Sequence, residues 1–170
     1  KQDIHVLLCD DGRYPVLLRD IEDRPPVLFA MGTWQPENTR QIALVGTRHP
    51  SAAGRHFTLL LSHKLASAGW TIISGMALGI DTAAHHGGLS VKSRQGVTHA
   101  VVGSGVDIAY PPQNRALYKR IMQTGGAILS EAKPGAAPNS QLLVARNRLI
   151  TGLSRVVVVI ESSIEGGAMH

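Results

Sequence analysis

Apolar positions in this chain gather into short β-branched or aliphatic runs, each closed by Gly or Ser and followed by roughly a dozen residues of helical character. That alternation predicts βαβ units and a parallel sheet. The runs fall at 41–45, 70–73, 98–102, 127–129 and 155–160, with helices expected at 54–68, 81–90, 113–124 and 141–153, the first two closing near Gly69 and Lys92. The runs are continuous rather than alternating, so both faces of the sheet are expected to be covered by helices. The fold class this predicts is α/β: an extended Rossmann-like, doubly wound, mainly parallel sheet with helices on both faces. Residues 1–39 carry Tyr14-Pro15, Arg24-Pro-Pro26 and the apolar stretch 27–31, and are too broken by proline for a long helix. They read as a lead-in with one edge strand, ahead of a core at 40–170. The chain stops just after the last apolar run, at Glu165-Gly-Gly-Ala-Met-His170, where such folds ordinarily continue into another helix. The C-terminal part of the core is therefore expected to be missing.

Composition narrows the partner. At 170 residues and 44% hydrophobic, the chain suits one compact domain with its own core. A formal charge of +5 and a pI near 9.8 favour a polyanion such as nucleic acid or a phosphate-bearing ligand. Cys9 is the single cysteine, which removes any internal disulfide framework and any cysteine-rich metal site, and fits a reducing cytoplasm. The apolar runs are strand-length and the N-terminus lacks a signal-peptide pattern, so no membrane association is expected.

In open parallel sheets, ligands bind outside the carboxyl ends of the strands. Here those segments read Gly46-Thr47-Arg48, Ser74-Gly75-Met76-Ala77-Leu78-Gly79-Ile80-Asp81, Gly103-Ser104-Gly105-Val106-Asp107, Ser130-Glu131-Ala132-Lys133 and Glu161-Ser162-Ser163. Glycines admit close backbone approach, while hydroxyls and free N–H groups donate hydrogen bonds to anions. Any one such loop is explained by tight strand-to-helix turns; several on one edge point to a phosphate-binding rim. Arg48 follows the first run directly, and its planar fork suits either bidentate phosphate binding or a structural salt bridge. Arg146 and Arg148 cannot both lie on one narrow helical face, so one is expected to face solvent or pair with Glu131 or Glu161, while Asn147 and the other arginine reach the rim. Aromatics number seven, and Tyr110 is the one beside the rim, as a stacking platform or as a turn residue packed on Pro111. Contacts are therefore expected mainly on phosphates.

Other chemistries lack their signatures. There is no P-loop, Gly103-Ser104-Gly105 lacks the third glycine of a dinucleotide fingerprint, and no cofactor is expected. Adjacent His85 and His86 point to different helical faces and the other histidines lack ligand spacing, so surface or capping roles are expected and no metal site. A hydrolytic set of Ser74, Asp81 and His85 can be drawn, but Asp81 is better placed as a helix N-cap and Ser74 lacks a nucleophile elbow. As an N-cap Asp81 would occupy donors, directing an anion toward Arg48 and Ser74-Gly75.

At these same positions the chain resembles the DprA/Smf family of DNA-processing proteins. The resemblance runs through Val45-Gly46-Thr47-Arg48, Ser74 to Asp81 with Ala84-His85, Gly103 to Asp107, Tyr110-Pro111 with Asn114, Leu129-Ser130-Glu131 and Arg146-Asn147-Arg148-Leu149-Ile150 with Gly152-Leu153-Ser154. It covers nearly the whole chain, including Tyr14-Pro15 and 28–32. It implies a nonenzymatic protein that binds single-stranded DNA without sequence preference, loads RecA during natural transformation and recombination, and forms a homodimer when full-length. The resemblance maps the family's Gly-x-Arg arginine onto Arg48 and its Arg-Asn-Arg motif onto 146–148; with the rim loops, the residues expected to meet DNA or phosphate are Gly46, Thr47, Arg48, Ser74, Gly75, Ala77, Gly79, Gly103, Ser104, Tyr110, Asn114, Lys133, Arg146, Asn147 and Arg148. Two departures stand out: Leu143-Val144 replaces the family's Phe-Pro, and the stretch 91–95 is longer than usual. A different class, a nucleotide-processing hydrolase or nucleotide sensor on the related scaffold of phosphoribohydrolases, would need a Pro-Gly-Gly-x-Gly-Thr run that is absent, although Glu131 and Glu161 sit at strand ends.

Overall fold

A computed structural model describes residues 3–91 and 97–162. Seven strands form one sheet: β1 (Ile4–Leu8), β2 (Val27–Gly32), β3 (Gln41–Gly46), β4 (Thr71–Ser74), β5 (Thr98–Val101), β6 (Ala127–Ser130) and β7 (Val156–Ile160). Their order is β1-β2-β6-β5-β4-β3-β7. β3 to β7 run parallel, while β2 pairs antiparallel with β6 and β1 antiparallel with β2. The expected strands are all present. The lead-in differs from expectation by supplying two strands, with β2 in the interior of the sheet and only β1 at its edge. The prolines that argued against a helix there sit in the connecting loops, outside both strands.

Alternation along the parallel strands sorts the core into two layers. Ile42, Leu44, Ile72, Ala100 and Ile128 face α1 (Ala52–Ser67), α2 (Ile80–Gly88) and α3 (Arg115–Gln123), packing with Ala66, Ala84, Leu117 and Ile121. Ala43, Ile73, Val101 and Leu129 face the other way, onto Tyr14 and Leu18 of the lead-in and onto Leu149, Ile150 and Leu153. Both faces of the central strands are thus covered, as continuous apolar runs require. β7 departs from that rule. It has β3 on one side and, among the described residues, no strand on the other, and Val156, Val157 and Val159 are 37–48% exposed.

Helix boundaries follow local chemistry. Ser51 caps α1, its Oγ accepting from Gly54 N at 2.9 Å, and Gly69 at φ +81 closes the turn that follows. α2 ends at Gly88, before Lys92, which lies outside the described residues. The single helix expected at 141–153 is two short ones, α4 (Ser140–Ala145) and α5 (Asn147–Gly152), with the break at Arg146. Asn139 caps α4 by accepting from Leu142 N at 2.8 Å. The lead-in is anchored by Tyr14, fully buried, whose hydroxyl donates to Pro25 O at 2.8 Å.

Candidate nucleic-acid interface

The carboxyl ends of β3, β4 and β5 converge on one depression with two connected parts. A recess of about 90 Å³ is lined by Gly75, Met76, Val102, Gly103 and Ser104 together with Arg48, Tyr110, Leu143 and Arg146. A wider cleft of about 590 Å³ continues past Gly46, Thr47, Arg48, Leu143, Val144 and Asn147. Arg48, Ala77, Tyr110, Leu143 and Arg146 line both.

Its floor is built by a buried polar network. Met76 adopts φ +65, a left-handed backbone rarely taken by residues other than glycine, and this turn aims the Gly75 and Ala77 N–H groups at Asp81, whose Oδ2 accepts both at 3.2 Å. Gly79, at φ +85, lets the loop dock on Thr47: a Cβ there would lie 2.4 Å from Thr47 O, and Ile80 N donates to that oxygen at 3.1 Å. Asn114 holds the loop from beneath, donating through Nδ2 to Met76 O at 2.8 Å and to Thr82 Oγ1 at 2.9 Å. Arg146, 6% exposed, turns inward at the break between α4 and α5 and donates to Gly75 O at 2.5 Å and Val101 O at 2.6 Å, tying the tips of β4 and β5 together. Gly75 is required there because a Cβ would fall 1.9 Å from Arg146 Nη1. Burial lowers the Arg146 pKa, the Asp81 carboxylate raises it back, and nearby Arg48 lowers it again. Burial likewise raises the Asp81 pKa, which Arg146 and the loop N–H donors counteract. Asp81 and Arg146 are mutual countercharges across the floor.

Above that floor, Arg48 is exposed and engages no hydrogen bond or ion pair among the described residues. The N–H groups of Met76, Gly103 and Ser104 likewise have no protein acceptor among the described residues.

The structure therefore brings Gly46, Thr47, Arg48, Gly75, Ala77, Gly103, Ser104, Tyr110, Arg146 and Asn147 to the depression. Several of these shape it rather than face a ligand. The Gly75 N–H is taken by Asp81, and Ser74 lies beneath, fully buried, with Oγ donating to Leu44 O at 2.7 Å. The two donors expected at Ser74-Gly75, the Ser74 hydroxyl and the Gly75 N–H, thus already have protein acceptors. Asp81 is not the N-cap; Gly79 holds that position, and Asp81, the second residue of the helix, accepts from the loop before it. Gly79 and Asn114 act from behind, and Lys133 is exposed on a loop outside both parts. Arg148 points away, pairing with Glu131 and with Asp23 of the lead-in, at 3.0 Å from the latter. One arginine in and one paired with Glu131 is what the helical spacing allowed. Leu143 and Val144, not anticipated as lining, form the apolar wall; the Asn139 cap signal was the feature in the sequence that could have set α4 there.

The rival chemistry loses its parts. His85 is buried with Nδ1 2.7 Å from Thr98 Oγ1, and His99 is buried with Nδ1 accepting from Ala127 N at 2.9 Å, so both are core residues rather than surface or capping histidines. Ser74 lies beside Asp81 but donates to Leu44 O, and His85 is bonded to Thr98, so among the described residues no hydrolytic set of the three assembles. Glu161 accepts from Ser51 N at 2.7 Å and from the Ser51 hydroxyl, clasping the α1 cap. Glu131 is occupied by Arg148.

Fold and depression together define a Rossmann-like α/β domain with a glycine-rich depression beside Arg48 at the carboxyl edge of its sheet. Residues 5–170 match the family of DNA recombination-mediator protein A, and the chain belongs to that family. It is 43% identical to protein Smf of Synechocystis over 96% of its length and 41% of that protein, and 34% identical to the DNA processing protein DprA of Bacillus subtilis over 99% and 56%. The chain thus spans about half the length of the curated relatives it matches. Among solved structures, DNA processing protein A of Streptococcus pneumoniae superposes with a TM-score of 0.85 at 35% identity, covering 99% of this chain and 58% of that one. The Helicobacter pylori protein, whose structure concerns a single-stranded DNA binding mode, also gives 0.85, at 29% identity over 99% and 74%. The family works in DNA processing for recombination. Among the described residues no helix is long and apolar enough to cross a membrane.

Proposed function

We propose that this domain grips single-stranded DNA by its phosphates at the rim centred on Arg48. The observation that carries the reading is the Arg48 guanidinium, lining the cleft beside the N–H groups of Met76, Gly103 and Ser104, none of which has a protein partner among the described residues. These groups recognise phosphate oxygens and carry no base-edge information, so binding is indifferent to sequence. Arg146 serves as the pinned base of the rim and adds field rather than a mobile contact. Thr47 and Asn147 flank the cleft and suit sugar or phosphate oxygens; Lys133 suits a phosphate farther along the strand.

The preference for single strands rests on shape. Tyr110, 39% exposed, stands at the seam of recess and cleft, with Leu143 and half-exposed Val144 opposite the charged edge. Unstacked bases can lie against that apolar wall while phosphates meet Arg48, an arrangement closed to a paired duplex. The relationship to a Helicobacter pylori protein with a single-stranded DNA binding mode supports this reading. The full-length protein, on this reading, is a cytoplasmic homodimer that loads RecA in recombination and natural transformation, a role that the family of recombination mediators supports.

Fluorescence anisotropy with single-stranded and duplex oligonucleotides across a salt series tests the proposal. Single strands should bind more tightly, with log affinity falling linearly against log salt. Equal affinity for the two forms would sink it.

A further inference from the structure

The cleft opens toward a second basic feature that its lining does not include. Tyr110 and Pro111 edge the recess, a 3-10 turn follows at Pro112–Asn114, and α3 begins at Arg115. Asn114 Nδ2 bonds the rim loop at Met76 O, so the first turn of α3 is fastened to the rim. α3 reads Arg-Ala-Leu-Tyr-Lys-Arg-Ile-Met-Gln and contains no carboxylate. Its inner face buries Leu117, Tyr118, Ile121 and Met122. Arg115 and Lys119, four residues apart, are exposed side by side on the outer face, and neither has an ion-pair or side-chain hydrogen-bond partner among the described residues. Arg120 is held by Leu89 O at 3.2 Å.

Nothing in the folding of α3 calls for this pattern. A cation in the first helical turn opposes the helix dipole, and no acid is supplied to offset it. The carboxylates on neighbouring elements are engaged elsewhere: Asp81 in the floor, Glu131 with Arg148, and Asp107 accepting from Gly135 N at 2.7 Å. The outer face of α3 is thus a carboxylate-free basic strip continuous with the mouth of the cleft.

We infer that Arg115 and Lys119 form a phosphate track on which a single strand continues after leaving the cleft past Tyr110. The inference rests on the cleft reading but concerns residues outside it. Two cations at helical i, i+4 spacing, roughly 6 Å apart, match a backbone that presents one charge per nucleotide. The track lengthens the occupied site without adding base contacts, so it acts only on strands long enough to reach it.

The test uses fluorescein-labelled oligothymidylates of about 5 and about 20 nucleotides, chosen to fill the cleft alone or to run beyond it. Arg115→Gln with Lys119→Gln should lower affinity for the long strand roughly tenfold and flatten its salt slope by about 1.4, at about 0.7 per phosphate contact, while leaving the short strand unchanged. Lys64→Gln, a single charge removed from the last turn of α1, should change neither. Long-strand affinity in the double variant no weaker than in Lys64→Gln overturns the track, as does an equal loss for short and long strands, which marks a general field effect. If Arg48→Ala binds both strands like the parent while the double variant loses the long one, the track stands and the cleft reading falls. If Arg48→Ala loses both while the double variant loses neither, the cleft stands and the track falls.

Discussion

Arg146 and Arg148, two residues apart, serve two regions that treat charge in opposite ways. On the lead-in side, charge is used up in packing. Residues 1–39 carry seven carboxylates against four basic side chains, and residues 40–170 five against thirteen. The lead-in meets the core through Arg148, which lies between Asp23 and Glu131, and within the lead-in Arg13 pairs with Asp11 at 2.6 Å while Arg19 donates to Asp11 O at 2.9 Å. At the rim Arg146 is compensated by Asp81 and three carbonyls, and Arg48 in front of it has no partner among the described residues. A basic residue serves packing where its partners converge on it and binding where they do not. The pattern Arg-Asn-Arg cannot tell these apart, because its two arginines take one role each.

Acid should act on both regions at once and produce the largest effect. His85 lies under the rim helix and His99 under the lead-in, where its ring packs 5.1 Å from that of Trp34. Burial lowers the His85 pKa to about 3, with His86, Arg146 and His99 adding to the shift, and burial alone lowers that of His99 to about 4. Unfolded histidine titrates near 6.5, so the unfolded chain binds protons that the folded chain refuses. Stability should be complete above about pH 6.5 and fall progressively toward pH 4 and 3, with near-ultraviolet and far-ultraviolet circular dichroism lost together. Separate transitions would show that the two regions are not one cooperative unit.

Replacing Arg146 by Leu should cost about 3–5 kcal/mol, because Asp81 is left buried without its countercharge and three carbonyls lose a donor. Chemical denaturation measures this, and single-strand binding should fall with it. Arg48→Ala separates binding from stability: affinity for single-stranded DNA should drop by about 1.5–3 kcal/mol, the loss of charge-assisted hydrogen bonds, at an unchanged melting temperature. A comparable loss of stability would place Arg48 in the scaffold and erase its contrast with Arg146. Asp23→Ala should do least, about 1 kcal/mol or less in stability, because the carboxylate is 64% exposed and solvent screens the pair. Its DNA affinity should stay at the parental value. A clear change in binding would mean that the lead-in sets the field at the rim.

Much of the domain was legible in the chain. Continuous apolar runs marked all five parallel strands, and the residues after them marked the edge where Arg48, Gly75, Gly103 and Tyr110 meet. Local rules sufficed there, since strand period, turn glycines and the position after a strand are properties of neighbouring residues. Long-range partners were another matter. The pairing of β2 with β6, the pairing of β7 with β3, and the burial of His85 and His99 depend on elements far away in sequence. So do the functions of Asp81 and Arg146, whose hydrogen-bond partners come from loops that only the folded sheet brings together. The sequence by itself determined which residues could meet an anion; the tertiary structure decided which still can, because a charge or N–H group is available to a ligand only after the protein's own acceptors have been served.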